Sequence, residues 1–272
     1  MPPQVCEKHV GNWRLAVLSF PEEIARSYDA WRETPTGHYI DSREKSLILD
    51  LAQPRGGERL LDVGCGTGDH LWLFRRKGCD VTGIDPSAPM LDIARQKLGH
   101  KADFYLGRAE DLPFSDDEFD IVTFITSLEF TADPVQAIHE AIRVCRGRVF
   151  IGVLNKYSCL GVTRRLSGSC RSSIYDHARF FSIGELTAMI RRQLAGVRIR
   201  WGSLISLPYS WYGFARGIEE SLPVMNNPLG AFLGLSFSVT FTQVTIQEPI
   251  RESTRIESKG RQPLPGVVRV IK

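Results

Sequence analysis

The sequence lacks both a strong excess of charge and any long apolar run. Its 272 residues carry 34 basic and 31 acidic side chains, a formal net charge of only +3. Nucleic-acid-binding proteins are expected to show a basic patch or stripe, so this balance argues against a nucleic-acid partner. No stretch approaches the roughly 20 apolar residues of a membrane-spanning helix, and no secretion signal is recognisable. We therefore expect a cytoplasmic protein without a transmembrane segment.

Closely spaced cysteines are also missing. The six cysteines form no C-x-x-C pair and lie among strand and helix patterns, which is typical of reduced thiols in a cytosolic protein. Without suitable ligand spacing, no metal site is expected. The triphosphate-binding pattern G-x-x-x-x-G-K-[ST] does not occur. With 43% hydrophobic residues, the chain is long enough for one large domain or a domain with a cap.

What the sequence does contain is a strand, a glycine turn and a helix in direct succession. An apolar run over 59–63 is followed by glycines at 64, 66 and 68 and by an amphipathic stretch over 70–77. Such a unit begins a doubly wound α/β sheet. Glycines let the backbone turn tightly and let a ligand approach closely. The spacing differs from the G-x-G-x-x-G of dinucleotide sites, and Asp69 follows the third glycine.

Four stretches together resemble a known family. The string DVGCGTG at 62–68 resembles motif I of the class I S-adenosylmethionine-dependent methyltransferases. Residues 81–87 are similar to that family's second strand with its terminal acid, 107–114 to its adenine-side loop and 119–124 to its fourth strand. The motifs follow the family order across roughly residues 40–155. They are most similar to the branch that includes the ubiquinone and menaquinone biosynthesis C-methyltransferases.

The resemblance implies a Rossmann-like, doubly wound α/β fold with a seven-stranded sheet whose last strand is antiparallel. N-terminal helices are predicted before the sheet, with a break at 34–37 and a second helix capped by Asp41 or Ser42. The last strand is predicted at 237–245.

We divide the chain into three parts. Residues 1–57 form an N-terminal helical segment, 58–247 the cofactor-binding domain and 248–272 a mobile tail. Within the domain, 156–180 is a long basic loop, interpreted either as solvated or as a lid for an anionic substrate group. Residues 205–235 form an aromatic-rich insertion between strands six and seven.

Asp85 is the acid that the pattern itself singles out. It ends the second strand about 20 residues after the glycine turn, where an acid accepts hydrogen bonds from both ribose hydroxyls. The alternative, that Asp85 caps the next helix, suits Ser87 better. Met90 is interpreted either as a contact to the adenine face or as core. Family members often have Asp or Asn at position 108; because Arg108 cannot accept a hydrogen bond, Glu110 or Asp111 would replace that contact.

The resemblance implies S-adenosylmethionine as cofactor, S-adenosylhomocysteine as product and the following binding residues: Tyr28, Tyr39, Asp62, Gly64, Cys65, Gly66, Thr67, Gly68, Asp85, Pro86, Met90, Arg108, Ala109, Glu110, Ile125 and Thr126. Tyr28 lies in a stretch that resembles the helix over the cofactor, although it would equally fit a packed core. Tyr39 is favoured over it because we place Tyr39 on a loop. Glu129 either contacts the methionine part or the acceptor, or is a solvent-facing acid.

The predicted activity is methyl transfer to a small, hydrophobic molecule by in-line displacement. No catalytic residue is assigned; Tyr39, Tyr157 and His177 are candidates for a general base. The insertion at 205–235 would build the acceptor pocket, or pack on the sheet or on a second subunit of a homodimer. Two alternatives stay open. One is a non-catalytic interaction module that keeps the fold, and the other is an NAD-dependent oxidoreductase, against which Asp69 and the later motifs speak.

Overall fold

The computed structural model describes residues 30–159, 161–162, 178–207 and 216–239. Seven strands form one sheet in the order β3-β2-β1-β4-β5-β7-β6, and β7 is antiparallel to both of its neighbours. This confirms the predicted sheet. The strands are β1 (Arg59–Val63), β2 (Asp80–Asp85), β3 (Ala102–Leu106), β4 (Phe119–Ile125), β5 (Cys145–Leu154), β6 (Ile199–Leu204) and β7 (Phe232–Ser238).

Helices cover both faces of the sheet, which explains why the central strands are continuous apolar runs. One hydrophobic cluster holds side chains of the helices at 35–52, 69–75 and 88–98, and the other holds those of the helices at 134–144 and 183–193. None of the helices described is both long and apolar enough to cross a membrane. The helices are α1 (Pro35–Ala52), α2 (Asp69–Arg75), α3 (Ala88–Leu98), α4 (Pro134–Val144), α5 (Ile183–Gln193) and α6 (Arg216–Ser221), with 3-10 turns at Ala30–Glu33, Gly99–Lys101 and Leu128–Phe130.

The predicted break at 34–37 is wrong, because this segment begins helix α1. The Thr34 hydroxyl accepts a hydrogen bond from the Gly37 backbone N–H at 3.1 Å, as an N-cap does. Pro35 occupies the first turn, where no backbone donor is needed. Asp41 and Ser42 therefore lie inside the helix. Tyr39 also lies inside it and not on a loop.

The last strand begins at Phe232 and not at residue 237. Six of its seven residues are buried, because β5 and β6 flank it and both faces of the sheet are covered. Its sequence therefore lacks the alternation of polarity that is typical of a strand with one exposed face. Residues 232–235 belong to the sheet and not to the insertion. The predicted tail and most of 156–180 lie outside the described residues.

Candidate active site

A cleft of about 1020 Å³, including space open to solvent, lies at the carboxyl ends of β1, β2 and β4. Its size is that of a small-ligand site, and this edge is where doubly wound sheets bind ligands. The predicted residues that line it are Gly64, Cys65, Gly66, Thr67, Asp85, Pro86, Met90, Arg108, Ala109, Glu110, Ile125 and Thr126. Asp62, Gly68 and Tyr39 do not line it.

Two glycines of the turn serve close packing. Gly64 has φ +76°, and a Cβ there would lie 2.3 Å from the Ser127 Cβ, so no larger residue fits. Gly68 has φ +83°, and its Cβ would lie 2.8 Å from Leu98 Cδ1 on α3. The glycine turn is therefore pressed against the end of β4 on one side, and Gly68 packs against α3 away from the cleft.

Asp85, at the end of β2, fixes the glycine turn through hydrogen bonds to its carboxylate. Its Oδ2 accepts a hydrogen bond from the Gly66 N–H at 2.9 Å, and its Oδ1 accepts one from the Ser87 N–H at 2.8 Å. Burial raises the pKa of this carboxyl, and the two hydrogen bonds oppose the rise. Since each carboxylate oxygen can accept a second hydrogen bond, Asp85 keeps acceptor capacity for a ligand hydroxyl.

Asp62 lies beneath the cleft in the sheet. It is buried, and its Oδ1 accepts a hydrogen bond from the Thr123 hydroxyl on β4 at 2.7 Å. Burial raises its pKa to about 7. Asp62 therefore joins β1 to β4 under the glycine turn and has no direct access to the cleft.

The adenine-side loop is fixed by Glu110. Glu110 Oε1 accepts hydrogen bonds from the Ala132 N–H at 2.7 Å and the Asp133 N–H at 3.3 Å. Its Oε2 lies 3.4 Å from Arg108 Nε. Much of the carboxylate's acceptor capacity is thus used within the protein. Met90 is buried and also lines the cleft, so its two interpretations are compatible.

Thr126 forms a strained wall at the end of β4. Its φ is +50°, a region that is unfavourable for a β-branched residue. Two hydrogen bonds hold Thr126 in this conformation. Its N–H donates to the Gly152 carbonyl at 2.8 Å, and its hydroxyl donates to the Ile125 carbonyl at 2.8 Å. Such backbone strain clusters at ligand and active sites.

The other wall of the cleft carries a charged group that was not predicted from the sequence. Arg32, from the 3-10 turn before α1, lines the cleft with Asp69 and His70. Arg32 forms ion pairs with Asp69 and, at 3.5 Å, with Asp41. Burial, together with the charges of Arg32 and Lys45, holds the pKa of His70 well below its usual range. In the sequence, Asp69 directly follows the glycine turn, but nothing there places Arg32 beside it.

Of the three general-base candidates, the two that the structure describes, Tyr39 and Tyr157, do not line the cleft. Tyr39 lies 3.5 Å from Glu220 Oε1, and burial raises the pKa of its phenol. Tyr157 is 59% exposed. Tyr28 and His177 lie outside the described residues. Glu129 is only 2% exposed, so its interpretation as a solvent-facing acid is wrong.

Comparison with known proteins agrees with this geometry. The family described as "Methyltransferase domain" matches residues 61–151. An uncharacterized protein of Methanocaldococcus jannaschii is 33% identical over 172 residues, 62% of this chain and 78% of that protein. The ubiquinone biosynthesis O-methyltransferase of Photobacterium profundum is 29% identical over 186 residues, 64% and 79% of the two chains. The crystal structure of a SAM-dependent methyltransferase from Thermotoga maritima has a TM-score of 0.64 at 25% identity and covers 80% of this chain and 97% of that chain.

The chain belongs to the class I S-adenosylmethionine-dependent methyltransferases. It is a methyltransferase, and S-adenosylmethionine is its cofactor. The Photobacterium profundum relative is an O-methyltransferase. The motifs were most similar to the branch that includes the C-methyltransferases.

The cleft fits the cofactor of the methyltransferase. A Cβ at Gly66 would meet no atom within 4 Å, so this part of the turn faces open space in the cleft. Asp85 lies beside it with acceptor capacity, and the apolar Met90 and Ile84 complete the lining on the β2 side. A polar nucleoside with an apolar ring face matches this combination of groups.

We expect Asp85→Asn to weaken binding of S-adenosylhomocysteine about 10- to 100-fold, because a hydrogen bond to a charged acceptor contributes about 1.5–3 kcal/mol. Calorimetric titration measures this directly. Asp80→Asn is the control, since Asp80 begins the same strand and is exposed. Equal affinity of wild type and Asp85→Asn would contradict a role of Asp85 in binding.

Proposed function

We propose that the methyltransferase methylates a small, hydrophobic molecule by in-line displacement. The observation that carries this proposal is the apolar character of the cleft at the end of β4, where Phe124, Ile125 and Phe130 line it. The polar lining side chains at this end are uncharged hydroxyls, those of Thr126, Ser127 and Thr131. Mostly apolar walls with a few placed polar groups are typical of sites for small molecules.

An oxygen atom is the nucleophile we favour. The support is the similarity to a ubiquinone biosynthesis O-methyltransferase. A hydroxyl of a quinone precursor, lipid or polyketide would suit the apolar end of the cleft. The small-molecule acceptor is also consistent with the weak net charge of the chain.

We assign the cofactor contacts as follows. Asp85 accepts the ribose hydroxyls, the backbone around Gly66 receives the amino-acid end, and Met90 packs on the adenine beside the loop at 107–110. The support is that these groups line one continuous cleft. Asp62 and Gly68 act indirectly, by holding the turn.

Arg32 is a further cofactor contact in this proposal. Arg32 lines the cleft. A guanidinium is the group best suited to a carboxylate, which it can bind through two parallel hydrogen bonds. His70 beside it stays neutral because its pKa is lowered. Arg32 would therefore supply the positive charge for the carboxylate of the methionine moiety, in exchange for part of its pairing with Asp69.

We predict that Arg32→Gln weakens binding of S-adenosylhomocysteine by about tenfold or more, but leaves binding of 5′-methylthioadenosine, which lacks the amino-acid end, unchanged. Lys97→Gln is the matched control. Lys97 also pairs with Asp69, at 3.1 Å, but does not line the cleft. An equal loss for both ligands would show that Arg32 only supports the fold.

In the mechanism, the cofactor supplies a methyl group on a sulfonium with a good, neutral leaving group. The protein mainly has to orient the acceptor oxygen in line with that group and keep other nucleophiles away. General-base help is needed where the acceptor is a weak nucleophile. Tyr39, Tyr157 and His177 stay predictions for that role. The raised pKa of Tyr39 keeps its phenol protonated at neutral pH.

The function is tested by following formation of S-adenosylhomocysteine with a panel of phenols and catechols that differ only in the length of an apolar chain. We expect kcat/KM to rise with chain length, and Phe130→Ser to lower it about tenfold for the longest member, because the side chain loses apolar contact. With a chiral methyl group, in-line transfer gives inversion. Activity confined to peptides or RNA, or retention of configuration, would contradict the proposal.

The assembly and location are also proposals. We propose that 58–247 is the catalytic domain, that the enzyme works in the cytoplasm and that it forms a homodimer through 205–235. Sedimentation equilibrium tests the last point. A mass of one chain, 30.6 kDa, at micromolar concentration would rule the dimer out.

A further inference from the structure

Glu129 is a buried acid that the proposed mechanism does not use. It lies in the 3-10 turn Leu128–Phe130 that follows β4, and it is 2% exposed. Its Oε1 accepts a hydrogen bond from the Leu154 N–H at the end of β5, at 2.7 Å. Its Oε2 has no hydrogen-bond partner among the described residues. This carboxyl is therefore only half satisfied.

The surroundings of Glu129 are a junction of three chain segments. The Glu129 carbonyl accepts a hydrogen bond from the Arg179 N–H at 2.9 Å. Phe181, two residues further on, donates its N–H to the Leu154 carbonyl at 3.1 Å. Glu129 thus fastens the end of β4 both to the end of β5 and to the strand-like segment that leads into α5.

The junction is connected to the cleft through two neighbours of Glu129. Ser127 donates its hydroxyl to the Val63 carbonyl at 2.6 Å, and its Cβ fills the space that Gly64 leaves free. Phe130 lines the cleft. A shift of Glu129 would therefore move both the support of the glycine turn and the wall at the acceptor end.

No cation among the described residues pairs with the Glu129 carboxyl. The ionisable groups on the neighbouring elements are engaged with other partners or are exposed. Glu140 pairs with Arg143, Arg146 with Asp120, Arg148 with Glu58 and Lys156 with Glu185; Arg179 lies over the Phe181 ring, His139 is 59% exposed, and the Asp133 and Glu110 carboxylates accept backbone N–H groups.

We propose that Glu129 is a positioning residue of the methyltransferase, which through its un-ionised carboxyl fixes the cleft wall formed by Ser127 and Phe130. As an acid, it keeps one oxygen to accept from Leu154 and carries the proton on the other. As a buried anion it would have only backbone N–H donors, those of Leu154 and of Glu129 itself, and no counter-ion among the described residues. Water would then have to enter, and the junction would open.

The direction of the pH dependence follows from burial, which raises the pKa of Glu129 to about 8. In an open or unfolded state the group ionises near its ordinary pKa of 4.5. Between these values, the closed state holds a proton that the open state has lost. Opening therefore becomes more favourable as pH rises from about 4.5 to about 8, and levels off above that range.

Hydrogen exchange of the intact chain tests this without knowledge of the acceptor. In wild type, the protection factors of residues 127–131 and of Leu154 should fall up to about tenfold per pH unit between pH 6 and pH 8. Glu129→Gln keeps the shape of the side chain and its hydrogen-bonding groups but has no titratable proton. The protection factors of this variant should therefore not change with pH.

Calorimetry should show that Glu129→Gln binds S-adenosylhomocysteine within about threefold of wild type. Glu129→Ala should bind it about tenfold more weakly, or weaker still.

Glu140→Gln is the matched control. Glu140 is also buried and also accepts a backbone N–H, from Leu112 at 3.1 Å, but Arg143 holds its pKa below the usual range. This variant should keep the wild-type slope of protection against pH. The same slope in wild type and Glu129→Gln would overturn the proposal, even if Glu129→Ala does not fold. The inference rests on the proposed cofactor cleft. If wild type does not bind S-adenosylhomocysteine, the assignment of the cleft to the cofactor is contradicted. The dependence of the protection factors on pH would still decide the role of Glu129.

Discussion

The close contact between Gly64 and Ser127 is the constraint on which the site depends. It brings the glycine turn after β1 against the segment after β4, in a space where one extra carbon would lie 2.3 Å from its neighbour. Asp85 then holds the turn from the β2 side through the Gly66 N–H. Three parallel strands thus end at one cleft, where we propose that the cofactor binds. Doubly wound sheets bind ligands at the carboxyl ends of their strands. Here the physical basis is close packing and the two hydrogen bonds that Asp85 accepts, from the Gly66 and Ser87 N–H groups.

Electrostatics divide the cleft into two ends. At the start of α2, the charged side chains of Arg32 and Asp69 line the cleft. At the end of β4, the lining is apolar apart from three hydroxyls. Behind this wall, burial favours the neutral forms of Asp62 and Glu129. The cleft therefore offers two different surroundings, which we propose receive the charged amino-acid end of the cofactor and an uncharged acceptor. That contrast suits the transfer of a methyl group from a cation to an apolar molecule.

The sheet and the glycine turn could be predicted because both depend on local sequence. A buried strand reads as an apolar run, and Gly64 and Asp85 follow strands at fixed distances. The antiparallel last strand was confirmed, but its start at residue 237 was wrong, because a strand covered on both faces does not alternate in polarity. Arg32 and His70 could not be predicted as neighbours, since their proximity results from the tertiary position of the turn before α1. The burial of Glu129 could not be predicted either, because the sequence pattern of an acid after a strand is the same whether the side chain is exposed or buried.

Thr126 shows that this enzyme is not optimised for stability. Its left-handed backbone places a cost of about 1–3 kcal/mol in the cleft wall, and glycine at the same position would carry little of it. Natural domains are stable by only about 5–15 kcal/mol, so this is a substantial fraction of the free energy of unfolding. Selection for thermostability alone would tend to replace Thr126. We infer that such a variant would gain heat resistance and lose a side chain of the cleft wall, where we propose that the acceptor binds. This is a trade-off between stability and function at a single residue.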